Sequence, residues 1–392
     1  MAKLLMSCDD YIIRFNGCYY ARNQERLSLY QRYLRVFDKL RLVTRCTEKT
    51  SLESAWVPLS EEPRIEYSPM PFFQGPWQYA KQIFNVKRSA RNAVKGCDAA
   101  ILRLPSTVSQ SLISGVQQEG IPYATEIVYD AKDGYESESS IIAKLLWYRI
   151  HHVMQRACAK AKGVSCVTQY YLQKHYFSKL PDSFCSHYSS ISLDESFFTA
   201  PRKYPQGKTM VITHVCNQVM FEGRKGHNRI IEALQILKEK GIKVVCKFVG
   251  PDYQNGIEKL IAYARELGVE DMVQFLGRLN RQQISDYLNE SDIYVMPTKA
   301  EGLPRVIIEA IAKGLPCITT PVSGNPELVD SHFLVEYQDV KTLAKRIEEL
   351  VTNAKLYEDT SEASFKRSLG YEASILQGRR DEFYTKLLAC CK

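Results

Sequence analysis

Through its second half the chain alternates two kinds of apolar pattern. Short β-branched runs, TMVITHV (209–215), KVVCKFVG (243–250), MVQFLG (272–277) and DIYVMP (292–297), read as buried strands. Longer runs with apolar positions three and four apart, HNRIIEALQILKEKG and GIEKLIAYARELG among them, read as helices, and RVIIEAIAKG, LPCITTP and KTLAKRIEELVTN continue the alternation. Strand and helix in strict succession imply a parallel sheet with helices on both faces. Gly241, Gly268 and Gly314 stand at or near the ends of helical runs, where a C-terminal cap favours glycine.

The first half is similar in kind. KLLMSC, LRLVTR (40–45), AAILRL (99–104), YATEIVY (123–129) and VSCVT (164–168) read as buried strands. Between them VPLSEEPRIEYSPMPFFQGPWQYA carries Pro58, Pro63, Pro69, Pro71 and Pro76 and is expected to be irregular, either packing alone or holding a ligand at a cleft edge. The polar, Pro-containing stretch 195–209 reads as the boundary. The expected organisation is residues 1–200 as one domain, 201–370 as a second, and 371–392 as a final helix returning to the first. Two doubly wound, Rossmann-like α/β domains would then face each other across a cleft, with ligands beyond the carboxyl ends of the strands.

Length and composition agree with this and exclude some classes. The 392 residues exceed one ordinary core, and 45% apolar with 24% charged residues is a globular balance. No window approaches the apolar length of a membrane span, and the opening MAKLLMSCDDYIIR has acidic residues where a signal peptide is apolar, so a cytoplasmic chain is expected. The twelve cysteines are scattered, without CxxC, and His151–His152 lack an HExxH context; reduced thiols and no structural metal are expected.

Charge is uneven. Of a net +8, residues 1–200 carry 25 Lys+Arg against 19 Asp+Glu, and residues 201–392 carry 27 against 25. The excess gathers in KQIFNVKRSARNAVKG, where Lys81, Lys87, Arg88, Arg91 and Lys95 run with no acid between Glu66 and Asp98. That run is either a solvated helix face or a surface for anionic lipid or a phosphate-bearing acceptor. Nucleic acid is not an expected partner, because a pI near 8.7 falls short of a strongly basic domain and no binding motif is present.

The candidate chemistry lies in DIYVMPTKAEGLPRVIIEAIAKGLP. A strand ends at Pro297, a loop follows, and Pro304 fits a first helical position. The amides of Gly302, Leu303, Arg305 and Val306 would then ring a helix N-terminus, which favours an anion. Glu301 stands just ahead of it, and Glu309 lies inside an otherwise apolar helical run, where a pair of sugar hydroxyls would satisfy its two oxygens. The structural alternative is that Glu301 caps the helix and Glu309 bonds to backbone. Upstream, FEGRKGHNRIIEAL places Arg224 and Lys225 in a glycine-flanked turn after the first strand of the same domain, where cationic side chains reach a phosphate, or else form a surface turn. QGKT (206–209) lacks the P-loop's first glycine and precedes its strand, and no GxGxxG occurs.

EGLPRVIIEAIAKGLPCITTPVSGNPELV resembles the donor-binding signature of family 4 retaining glycosyltransferases of the GT-B fold, with its E-x7-E pair at Glu301 and Glu309. The likeness runs through the RKG turn and GRLNRQQISDYLNESDIYVMPT (277–298) to cover residues 209–350. In the first half RLPS (103–106), EIVYDAKD (126–133) and VSCVTQYYLQKHY resemble capsule and exopolysaccharide members. The resemblance implies that Lys225 contacts the donor diphosphate, Glu309 the ribose, and Glu301 the transferred sugar and departing phosphate. Val219 and Met220 stand where the family often has a second basic residue, so Arg224 is the substitute. Gly17 in FNGCYY stands for the family's N-terminal Gly-rich loop. No histidine is expected to reach the sugar from the first domain, and Asp130 or Glu126 is the candidate for catalysis and acceptor binding.

The expected function is that of a retaining hexosyltransferase of class EC 2.4. It would move a hexosyl unit from a UDP- or GDP-sugar to a growing, lipid-linked glycan in surface polysaccharide biosynthesis. Peripheral membrane contact through the basic domain, and no metal or other cofactor, complete the expectation; D-x-D is absent. The alternatives are a nucleotide-sugar epimerase or glycosyl phosphorylase on the same fold, and a non-catalytic scaffold subunit.

Overall fold

The computed structural model describes residues 1–136 and 140–391. It divides into two units: Met1–Tyr188 with Gln377–Lys392, and Ser189–Leu376.

The strands of the first unit are β1 (Lys3–Phe15), β2 (Cys18–Ala21), β3 (Lys39–Glu48), β4 (Val57–Pro58), β5 (Ile65–Met70), β6 (Ala99–Leu104), β7 (Tyr123–Ile127), β8 (Gly163–Cys166) and β9 (Phe184–His187). A parallel sheet runs β5-β3-β1-β6-β7-β8-β9; β2 adds antiparallel to the far end of β1, and β4 adds antiparallel to β2. Leu4 pairs with Ala99 and Leu40 with Ile65. Leu5, Leu102, Leu112, Val116, Met154 and Cys158 are among the fully buried residues of the core that helices Gly75–Val94, Thr107–Gln118 and Ile141–Ala159 form with the sheet.

Two expectations are corrected here. The proline-rich stretch contains a regular strand, β5, with Pro69 opposite Thr44. A strand paired with β3 alone is an edge, and an edge tolerates a residue without an N–H. The stretch 195–209 is no boundary: it packs on the second unit, where the Arg202 guanidinium donates to the carbonyls of Lys313 (2.7 Å), Asn289 (2.8 Å) and Leu288 (3.1 Å). One arginine whose fork meets three orphan carbonyls at helix and loop ends outweighs the local signal of Pro201 and Pro205.

The second unit carries β10 (Met210–Val215), β11 (Val244–Val249), β12 (Val273–Phe275), β13 (Ile293–Met296) and β14 (Cys317–Thr319) in a parallel sheet ordered β12-β11-β10-β13-β14. The order reverses between β10 and β13, where Ile212 pairs with Ile293. Beyond the carboxyl ends of two strands at such a switch point the connections diverge to opposite faces and leave a crevice. The segment after β10 and the segment after β13 are the RKG turn and the EGLP loop. All twelve cysteines are free thiols, six of them buried.

Candidate active site

After β10 the chain makes a tight passage to helix His227–Glu239, capped by Gly226 at φ 74°. A Cβ at position 226 would lie 2.0 Å from the Pro297 carbonyl oxygen, so only glycine lets the turn touch the end of β13. The Lys299 amide donates to the Arg224 carbonyl at 2.9 Å and locks turn and loop together. This contact delivers Lys225 to Glu301: its ammonium pairs with Glu301 Oε1, which also accepts from the Thr298 hydroxyl at 3.0 Å. Both side chains keep partial access to solvent. Sequence reasoning proposed these two residues separately, for phosphate and for sugar; the fold makes them one ion pair.

Helix Arg305–Ala312 starts at Pro304 without a side-chain cap. Its Ile307 and Ile308 amides turn back to the Pro304 carbonyl, whereas those of Gly302, Leu303, Arg305 and Val306 meet no acceptor among the described residues. They supply donors and the positive end of a helix dipole beside Glu301. Gly302 and Leu303 are buried, Arg305 is exposed and Glu309 half-buried. Arg224 is exposed, its carbonyl rather than its side chain tying the turn.

Beneath the turn lie His214, at the end of β10, and His227, first in its helix, with ring centroids 4.8 Å apart. Burial, and after it the charge of Lys225, pulls His214 down to about 4. Burial, then His214, then Lys225, brings His227 to about 2. Both rings are neutral at neutral pH, so Lys225 supplies the positive charge here.

The first-unit candidates fare differently. Glu126 sits inside β7 with its oxygens taken by the hydroxyls of Tyr33 (2.9 Å), Tyr188 (3.0 Å) and Tyr384 (2.9 Å) and by Arg103 at 3.3 Å. Burial, and Glu126 beside them, pushes all three hydroxyls well up, so they remain donors. Glu126 is a structural hub rather than an acceptor ligand: it fastens the helix Ala373–Leu388, through Tyr384, to the first unit.

Asp130 is fully buried, with one oxygen on His175 Nδ1 (2.9 Å) and the other accepting from Tyr176 (2.8 Å), which in turn meets His151 Nδ1 at 2.9 Å. Its carboxylate is occupied, and the group it presents with access to solvent is His175. Sequence reasoning expected no histidine here, because His175 joins Asp130 across 45 residues of chain. Gly17 is exposed in a two-residue hairpin turn between Phe15 and Cys18, with Asn16 and Gly17 at φ 47° and 80°. The turn accounts for this glycine without a ligand.

Residues 217–367 match the model of the family Glycosyl transferases group 1. Protein CapJ of Staphylococcus aureus is 23% identical over 381 residues, spanning 97% of this chain and 94% of CapJ. The amylovoran biosynthesis glycosyltransferase AmsK of Erwinia amylovora is 33% identical over 131 residues, 31% of each chain. Among solved structures, sucrose-phosphate synthase of Thermosynechococcus elongatus superposes with a TM-score of 0.74 at 15% identity, over 99% of this chain and 100% of that one. Anabaena HepE, solved with UDP and glucose, gives 0.67 at 16% over 97% and 99%. The turn and loop built around Lys225 and Glu301 lie inside the region that is similar to the group 1 glycosyl transferases, and the chain has the GT-B fold of the solved structures it superposes on.

Proposed function

We propose that this protein moves a hexosyl unit, with retention, from a UDP- or GDP-sugar to a growing, lipid-linked glycan in surface polysaccharide biosynthesis. The observation that carries this reading is the convergence at the β10–β13 switch point of Lys225, Glu301 and the helix N-terminus at Arg305. A nucleotide diphosphate brings negative charge to that spot, and breaking the anomeric bond adds more on the departing oxygen. Lys225 and preoriented amides stabilise that charge as it develops, without reorganising. Glu301 holds the ammonium in place by the ion pair and lies near the transferred sugar. Glu309 takes the ribose hydroxyls, and Arg224 stands at the rim. No metal held by carboxylates takes part, so turnover does not depend on added Mg2+ or Mn2+.

The amylovoran biosynthesis named for AmsK supports a polysaccharide product, and the UDP and glucose bound to HepE support a uridine nucleotide donor. Incubation with donor sugars in the presence and absence of membrane glycolipid, with product analysis, tests the reading. Glycolipid-dependent transfer with the donor's anomeric configuration kept supports it, whereas conversion of the donor alone identifies an epimerase.

The acceptor side is assigned to the first unit and to the membrane surface. Helices Gly75–Val94 and Ile141–Ala159 line one groove through Tyr79, Lys87, Leu146 and Arg149. They expose Trp77 (83%), Phe84 (82%) and Ile142 (81%) near the basic run from Lys81 to Lys95. Apolar side chains among cations suit the anionic face of a bilayer. No helix of the described residues is long and apolar enough to cross one. Reversing charge at Lys87, Arg88 and Arg91 removes binding to anionic vesicles, at roughly 1 kcal/mol per residue; unchanged binding overturns this assignment.

A further inference from the structure

The buried pair of histidines under the phosphate turn has a third neighbour. His214 and Cys216 stand two residues apart at the end of β10 and so point to the same side, and His227 opens the helix that follows. One ligand atom from each, nitrogen, sulfur and nitrogen, lies within 4.8 Å of the others. His214 Nδ1 donates to the Val295 carbonyl at 2.8 Å, which leaves the lone pair on Nε2. That Nε2 is buried without a hydrogen-bond partner, and so is His227 Nδ1. The other nitrogen of His227 is 3.3 Å from Cys216 Sγ, close to the spacing of two ligands on one ion. Buried polar atoms without partners are uncommon and call for an explanation in each case.

We infer that His214, Cys216 and His227 form a binding site for a borderline divalent cation, Zn2+ foremost, at the base of the donor turn. Two neutral imidazoles and a thiolate suit zinc and exclude Mg2+ and Ca2+, which require oxygen ligands. The hydrogen bond from His214 to Val295 is the outer contact that fixes a ligand's tautomer and direction. Phe248 packs on both rings, at 5.9 and 5.7 Å, and keeps their far sides dry. The exposed neighbours Asn217 and Gln218 give a route in from solvent beside half-buried Cys216 and leave the fourth position to water. On binding, the Cys216 thiol gives up its proton to solvent, and its sulfur lone pair forms the bond to the ion.

The ligand spacing, His-x-Cys and then ten residues to His227, matches no common metal motif, which is why the sequence led to an expectation of no metal. The ion's role is structural. It clamps the end of β10 to the first residue of the helix, with Lys225 and Gly226 on the stretch between them. The inference stands independently of the proposed donor and acceptor.

The test uses the full chain, reduced and stripped with chelator, titrated with Co2+ alone and followed by absorption. The expected result is one ion per chain, a thiolate-to-cobalt charge-transfer band in the near ultraviolet and its loss on adding one equivalent of Zn2+. Cys216→Ser abolishes the band, His227→Gln weakens binding at least about tenfold, and the tail variant Cys390→Ser/Cys391→Ser keeps it. No band in the wild type, or one that survives Cys216→Ser and disappears in the tail variant, overturns the site. Should Cys216→Ser fail to fold, alkylation mapped by peptide mass decides. Protection of Cys216 by one equivalent of Zn2+ supports the site, and undiminished labelling rejects it.

Discussion

The two units carry the same kind of candidate, an acid at or near the carboxyl end of a central parallel strand, and treat it in opposite ways. In the second unit Glu301 sits in a loop with one cation and one hydroxyl, and keeps access to solvent. In the first, Glu126 lies within its strand and is enclosed by three tyrosines and an arginine, and Asp130 is enclosed by His175 and Tyr176. A carboxylate with all its lone pairs filled by buried donors holds a fold together; one left partly open, beside a cation and unpaired amides, binds something.

Substitutions that separate stability from binding sharpen the contrast. The largest effect is expected from Glu126→Ala, which strands Arg103 and three hydroxyls in the core. Denaturant unfolding should show a loss of about 3–5 kcal/mol and release of the final helix, with nucleotide affinity of the folded fraction unchanged. Lys225→Ala should do the reverse. Losing one charge-assisted contact costs about 1.5–3 kcal/mol of nucleotide affinity, read by calorimetry, while the unfolding midpoint moves less than in Glu126→Ala, because Glu301 keeps the Thr298 hydroxyl and partial access to solvent. Gly226→Ala forces a left-handed residue at about 1–2 kcal/mol and drives a methyl group into the Pro297 carbonyl. Affinity should fall with stability here, since the turn cannot dock on β13.

His175→Asn is the finest probe. With Asp130 held only through Oδ1, by Tyr176 and the Lys132 amide, kcat toward the acceptor should drop about tenfold, about 1.4 kcal/mol, at unchanged donor affinity. An effect on donor affinity instead would place His175 with the nucleotide, and no effect would leave the Asp130 cluster purely structural.

Most of the architecture was legible because it rests on local period. Each of the ten apolar runs read as strands became one, from KLLMSC in β1 to LPCITTP in β14. The four strands not foreseen are short or irregular: β2, β4 and β9 have two to four residues, and β5 contains Pro69. Their pairing comes from neighbours rather than from their own pattern. In the second unit Lys225 and Glu301 were found as a local motif, but not as a pair, because 76 residues separate them. In the first unit position was legible and environment was not. Nothing in EIVYDAKD announces that Tyr33, Tyr188 and Tyr384 converge on Glu126, or that His175 covers Asp130; those contacts span 45 to 258 residues. Long-range hydrogen bonds decide whether a buried acid is spent, and they leave no periodic trace in the chain.

The central claim is that Lys225, Glu301 and Glu309 hold a nucleotide diphosphate. Calorimetric titration of the wild type with UDP, GDP and ADP, beside Lys225→Ala and Glu309→Ala, tests it most directly. The account predicts micromolar binding of a uridine or guanosine diphosphate, weakened about tenfold or more by each substitution. Binding that is indifferent to both substitutions, or none by a folded protein to any diphosphate, would contradict it.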